Sequence, residues 1–342
     1  MRQVFFGAVL CTALLGCEAG TDLTANASSS AAVPAPTAPV ATAAPIVTLD
    51  GAQAGSAAKP AAPTQTLAFD SSKAWEHLRQ MVAIGPRPAG SAAIRQTRAY
   101  ITRQLSAMGL TVHEQAFVGQ TPLGPIEMVN LIVRLPGKRT DRILFTGHYD
   151  TKLFKDQVFV GASDGASSGA FLIELARVLK DRPREFTYEL VWFDGEEAVV
   201  NWQGLDNTYG SRYYVQAAQK ANALASIKAM ILVDMIGDKN LNLKREERST
   251  KWLKDAIWGA AKRLGHGNVF HDEEMAIEDD HIPFLNAGVH AVDLIDFDYP
   301  PWHHEATCCD DLSKVSARSL QIVGDVLLAA LPEIEKRAGQ GK

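Results

Sequence analysis

Four apolar stretches of this 342-residue chain end in acids or histidines. RILFTG runs into His148, Tyr149 and Asp150, and LVWFDG runs into Glu196 and Glu197. MILV runs into Asp234, and DLIDFDYPP leads to Trp302 and His303. A fifth acid, Asp164, lies in GASDGASSG, whose small residues permit close backbone approach. One acid after a strand is ordinarily a cap or a solvated charge. Carboxylates and imidazoles converging from several strand ends are another matter. Adjacent carboxylates at the end of a buried strand are costly to desolvate unless a cation compensates. A divalent metal is the simplest such cation, and oxygen and nitrogen donors without thiolates suit zinc or manganese.

The elements that must hold these residues alternate. Helical spacing is expected around Trp75, Leu78, Met81 and Val82, capped by Ser71 or Ser72, and again over residues 92–108. GPRPAGS separates the two helices. Strands are expected near residues 110–117, 128–135, 142–146, 187–193, 229–237 and 289–295. Further helices are expected near residues 168–179, 208–219, 249–264, 281–287 and 317–331. This alternation predicts a three-layer α/β/α sandwich around a mixed, mostly parallel central sheet. In open sheets of this kind ligands bind outside the carboxyl ends of the strands, where the acids lie.

Composition bounds the rest. With 46% hydrophobic residues the chain can build an ample core, and a net charge of -5 without a basic block gives no case for nucleic-acid binding. The first residues, MRQVFFGAVLCTALLGCEAG, have a short positive start and an apolar run too short to span a bilayer comfortably. Residues 1–16 read as an export signal, and Leu14-Leu15-Gly16-Cys17 resembles the lipobox of bacterial lipoproteins, in which the Cys is lipidated. The tract over residues 17–66, rich in Ala, Pro and Thr, has no aromatic residue and reads as a flexible tether to a single catalytic domain over residues 67–342. This resemblance implies an exported lipoprotein at the periplasmic face of the outer membrane, touching the membrane only through its anchor. A periplasmic or secreted protein is the alternative. Cys308 and Cys309 are too few for a thiolate zinc site and are expected to be structural or incidental.

GHYDTK, GASDGASSGAFLIELAR, WFDGEEA and the late WH resemble the zinc-dependent aminopeptidase superfamily. DGEEA followed by Trp202 and YGSR, LVDMIGD, EDDHIPFL and YPPWH resemble, within it, the animal-type glutaminyl-peptide cyclotransferases. The resemblance implies one zinc per chain, held by Asp164, Glu197 and His303. It implies Glu196 as general base and acid, with Asp234 and Asp279 as a hydrogen-bonded acidic pair beside it. Trp202 and Trp302, joined by Ile277 and Phe297, would wall the substrate pocket, and His148 would stand beside the ligands rather than among them. Two departures stand out: His304 follows the expected ligand, and Gly147 occupies the place of a cystine residue found in animal relatives.

The reaction so implied closes an N-terminal glutamine to pyroglutamate with release of ammonia, on peptides or proteins, by a protein expected to be monomeric. The alternative is a two-metal aminopeptidase using His148, Asp164, Glu197, Asp234 and His303, with Glu196 activating water.

Overall fold

The computed structural model describes residues 68–302 and 309–340. The signal-type segment, Cys17, the tether, the expected domain start at Leu67, and His303, His304 and Cys308 lie outside the described residues.

Helix α1 (Ser71–Ile84) is capped by Asp70, which accepts from the Ser72 amide, one residue earlier than expected. Helix α2 (Ala92–Ala107) is capped by Ser91. Strands β1 (Val112–Thr121), β2 (Gly124–Leu135) and β3 (Arg139–His148) follow, then α3 (Ala166–Leu179), β4 (Phe186–Phe193), α4 (Tyr209–Lys220) and β5 (Ile227–Asp234). The chain continues through β6 (Leu243–Glu246), α5 (Lys251–Arg263), β7 (Phe270–Met275), α6 (His281–Asn286), β8 (Ala291–Ile295) and α7 (Ala317–Gly339).

The main sheet has six strands in the order β1-β2-β4-β3-β5-β8. β1 pairs with β2, and β2 with β4, antiparallel; the pairings of β3 with β4, β3 with β5 and β5 with β8 are parallel. The mixed, mostly parallel sheet is therefore as expected. Alternation along each strand divides the core. Ile143, Phe145, Leu190, Trp192, Ala229 and Ile231 face a cluster shared with α1, α2, α3, α5 and α7. Leu144, Val191, Phe193, Met230 and Leu232 face α4 and α6. Strands covered on both faces are apolar throughout, which is why β5 reads as an unbroken run.

Two features depart from expectation. β6 and β7 form a separate parallel pair that the sequence did not announce, because their residues are largely charged. α7 was expected to end at Leu331 but runs through Pro332 to Gly339. A proline inside a helix costs one hydrogen bond and strains the preceding turn. Burial of Ile334 and Ala338 on the core side offsets that cost.

All parallel strands deliver their carboxyl ends to one edge of the sheet. His148 ends β3, Asp234 ends β5, and Glu196 follows β4 by three residues.

Candidate active site

His148 lies at the centre of the strand ends. Its Nε2 is 3.0 Å from Asp234 Oδ1 and 3.2 Å from Asp164 Oδ1; its Nδ1 is 3.5 Å from Asp150 and 3.8 Å from Glu196. The ring can come this deep because Gly147 precedes it. A Cβ there would lie 2.7 Å from Ser168 Cβ and 2.9 Å from the Val233 carbonyl. The absent cystine residue thus corresponds to a close approach of β3 to α3 and β5.

Asp164 is delivered by the tight turn before α3. Gly161 and Gly165 have φ of +54° and +88°, and a Cβ on either would stand 2.3 Å from a carbonyl oxygen. Buried Arg87 holds this turn from one side. It donates from Nε to the Tyr149 carbonyl at 2.8 Å, and from its terminal nitrogens to Val160 and Gly161 at 2.6 and 2.9 Å. Burial pushes its guanidinium down to about 10, against the opposing pull of Asp150, Asp310, Asp164 and Glu197.

The two glutamates owe their placement to Asp150. Its carboxylate accepts the Glu196 amide at 3.1 Å and the Glu197 amide at 3.3 Å. Gly195, at φ +68°, turns the chain where any side chain would strike Met128. The following loop is closed by Asp206, which accepts the amides of Val199, Val200 and Asn201 and the Tyr209 hydroxyl. That loop presents Trp202. Two non-glycine residues with positive φ flank the site, Thr208 at 44° and Met235 at 48°. Strain of this kind persists only where the surroundings enforce it.

A cavity of about 390 Å³ opens over these groups. Its walls include Asp164, Glu196, Glu197, Asp234 and Asp279, together with Trp202, Ile277, Phe297 and Trp302. Every site residue read from the sequence except His303, which lies outside the described residues, and His148, buried behind the carboxylates, therefore borders one cavity. The Phe297 and Trp302 ring centroids are 4.3 Å apart. A larger groove of about 770 Å³ lies at the opposite end of β5, around Ile227, Trp252 and Arg337, but it gathers no carboxylates. Cavity size alone does not mark the chemistry.

Asp234 and Asp279 face each other across the buried end of the cavity, where Asp234 is the strongest charge acting on Asp279. Asp234 also pairs with His148 and accepts the Met235 amide, while burial, then the charges of Asp234 and Asp280, raise Asp279 well above the usual carboxylate range.

The protonation pattern calls for a cation. Burial, with Asp279 and Glu197 adding to it, raises Glu196 well above the usual carboxylate range. Burial, then Asp164 and Asp150, does the same to Glu197. Burial opposes charge on His148, but the carboxylates Asp234, Asp150 and Asp164 outweigh it and hold its pKa well up. His148, Asp164 and Asp234 offer donor atoms all within 4.8 Å of one another. Buried oxygen and nitrogen donors without a thiolate among them are a fitting set for a divalent metal.

Sequence reasoning missed Arg87, Asp206 and Asp310, and took Asp150 only as one more strand-end acid. Their partners are backbone amides and carbonyls, which leave no pattern in the sequence. Cys309 is disulfide-bonded.

The profile of peptidase family M28 matches residues 130–331. A glutaminyl-peptide cyclotransferase of Bothrops jararaca is 31% identical, over 75% of this chain and 80% of its own length. The crystal structure of an Acidobacteriales bacterium glutaminyl cyclase is 39% identical with a TM-score of 0.75, covering 82% of this chain and all of that one. A leucine aminopeptidase precursor from Bacteroides thetaiotaomicron, 24% identical over 78% of this chain and 98% of that one with a TM-score of 0.70, shares the fold. The chain belongs to peptidase family M28, and within it to the glutaminyl-peptide cyclotransferases.

Proposed function

We infer that this protein is an enzyme that converts the N-terminal glutamine of peptides or proteins to pyroglutamate, releasing ammonia. The observation that carries this is the joining of buried carboxylates to aromatic walls, Trp202, Phe297 and Trp302, in a chain closely similar to glutaminyl cyclases.

The nucleophile and the electrophile belong to one residue, so the pocket has only to fold the glutamine side chain back on its own amine. The aromatic walls and Ile277 exclude water around the aliphatic stem. Glu196 takes a proton from the α-amine as its nitrogen attacks the γ-carbonyl, and returns a proton to the departing ammonia. A positioned carboxylate contributes about 10²–10⁴-fold in this role. Its raised proton affinity suits a group that must gain and lose a proton. Asp234 and Asp279 border the same cavity and form the hydrogen-bonded acidic pair beside Glu196, with Asp234 anchored by His148.

The metal is assigned as one zinc per chain, bound by Asp164, Glu197 and His303. When bound, it supplies Lewis acidity toward the γ-carbonyl oxygen. His148 then orients Asp164 and Asp234 rather than binding metal itself. The reading extends to a monomer that is exported and anchored through Cys17, supported by the signal-like segment before it. Cys17→Ala should move the protein from the membrane to the soluble fraction.

The convergence of His148, Asp164 and Asp234 also favours a second reading, a two-metal aminopeptidase. The deciding experiment offers the purified protein one Gln-initiated and one Leu-initiated peptide. Ammonia and a pyroglutamyl product are expected from the first. Free leucine from the second, with no cyclised product from the first, would replace the cyclase by the aminopeptidase.

A further inference from the structure

Asp310 is completely buried, does not border the cavity and has no part in the proton transfers above. Its carboxylate nevertheless collects four bonds from three donors. The Ser163 amide reaches both its oxygens at 2.8 and 2.9 Å, and the Asp164 amide reaches Oδ2 at 2.8 Å. The Tyr299 hydroxyl donates to Oδ1 at 2.6 Å. Its own backbone carbonyl accepts the Ala162 amide at 3.1 Å. Three successive amides of one turn thus end on a single residue nearly 150 positions away.

The same turn is held on its other side by Arg87, which donates to the Val160 and Gly161 carbonyls. The Arg87 guanidinium grips the carbonyls and the Asp310 carboxyl oxygens grip the amides. The segment between them is held through both its carbonyls and its amides, and it carries Asp164, whose side chain borders the cavity. A loop that needed only a stable conformation could satisfy its amides with water or a hydroxyl. Spending a buried carboxylate on two adjacent amides fixes the direction in which Asp164 points.

We propose that Asp310, seconded by Tyr299, is a positioning residue for the metal site: it aims the Asp164 carboxylate through the Ser163 and Asp164 amides. The proposal rests on the assignment of Asp164 as a metal ligand. It adds that metal affinity depends on a residue that touches neither metal nor substrate. Supporting groups of this kind are ordinarily worth 10–100-fold in metal affinity.

The test is competition for zinc between the full-length protein and a chromogenic chelator, with urea denaturation of the zinc-loaded protein alongside. Asp310→Asn keeps the size but presents a donor to the amides; zinc binding about 10–100-fold weaker is expected. Tyr299→Phe leaves the amide bonds in place and removes only the hydroxyl. A weakening of several-fold is expected there, and this variant keeps the proposal testable if Asp310→Asn does not fold. Saturating zinc should restore kcat in Tyr299→Phe without altering KM, which a general loss of stability would not do. Unchanged zinc affinity in Tyr299→Phe together with a folded Asp310→Asn of wild-type affinity overturns the proposal. So does a drop in stability with no change in affinity. Asp164→Asn separates the two levels. If it also keeps zinc, the ligand assignment itself is wrong; if it alone loses zinc, only the role of Asp310 fails.

Discussion

Two buried clusters in this protein hold the same kinds of donor. His148, Asp164 and Asp234 form one, and Asp279, His281 and Asp293 the other, each with its donor atoms within 4.8 Å. By residue type either could be taken for a metal site. Their surroundings differ. Asp164 and Asp234 of the first cluster open on the cavity, joined there by Glu196 and Glu197. In the second only Asp279 reaches the cavity; His281 lies 3.1 Å from Glu246 on one side and 3.6 Å from Asp293 on the other. Access, rather than donor type, separates a centre able to accept substrate from one that serves the fold.

The largest effect should come from splitting the two adjacent glutamates of the open cluster. Glu196→Gln is expected to lower turnover by about 10²–10⁴-fold while zinc remains bound. Glu197→Gln should instead weaken zinc binding. Metal content by absorption spectroscopy and turnover on a Gln-initiated peptide distinguish them. Equal loss of metal in both variants would mean that the open cluster does not divide its labour in this way.

The closed cluster should respond in stability instead. Glu246 accepts the Arg248 and Ser249 amides at 2.9 and 2.6 Å and faces His281. Although burial raises its pKa, the His281 contact and these amides prevail and hold it down to about 2. A carboxylate depressed in the folded state stabilises it above the unfolded pKa, near 4.5, and that contribution disappears as pH falls toward 2. Glu246→Gln should cost about 1–3 kcal/mol at neutral pH in urea denaturation, as weakening buried hydrogen bonds to a charged acceptor does. It should also flatten the loss of stability between about pH 4.5 and 2. Zinc content should stay at the wild-type level. A fall in zinc with unchanged stability would reverse the roles given to the two clusters.

The open cluster was far more legible in the sequence than the closed one. Strands β3, β4 and β5 are apolar runs that stop at His148, at Glu196 and Glu197, and at Asp234, so their polar ends stand out. Glu246 belongs to β6, which pairs with β7, and both are short charged strands with no alternation to betray them. They exist because they pair with each other and because Leu243 and Phe270 reach the core. Asp293 lies inside β8, where an acid reads as an interruption until His281 is seen opposite. The turn supports were hidden for a different reason. Asp150, Asp206 and Asp310 bind backbone amides, and an amide carries no sequence identity. The extension of α7 past Pro332 was likewise invisible, since propensity argued for a stop and tertiary burial overruled it.

The smallest effect concerns neighbours that straddle the boundary between exposed and sealed. Glu278 is exposed at the cavity mouth, whereas Asp279 beside it is buried. The residues lining the cavity include six acids and no lysine or arginine. Asp272 and Glu273 on the adjoining strand are taken up by Arg245 and Lys244. Glu278 makes no ion pair among the described residues, so its field is available to the residue that follows the N-terminal glutamine. Exposed pairs are worth at most about 1 kcal/mol and are screened by salt. Glu278→Gln should therefore reduce the preference for Gln-Lys over Gln-Glu peptides by about two- to threefold in kcat/KM. The change should shrink at high ionic strength, with reaction on an uncharged Gln-Ala peptide unaltered. A preference that survives the substitution would place the selection among the buried acids, and the distinction between the exposed mouth and the sealed interior would then not extend to substrate choice.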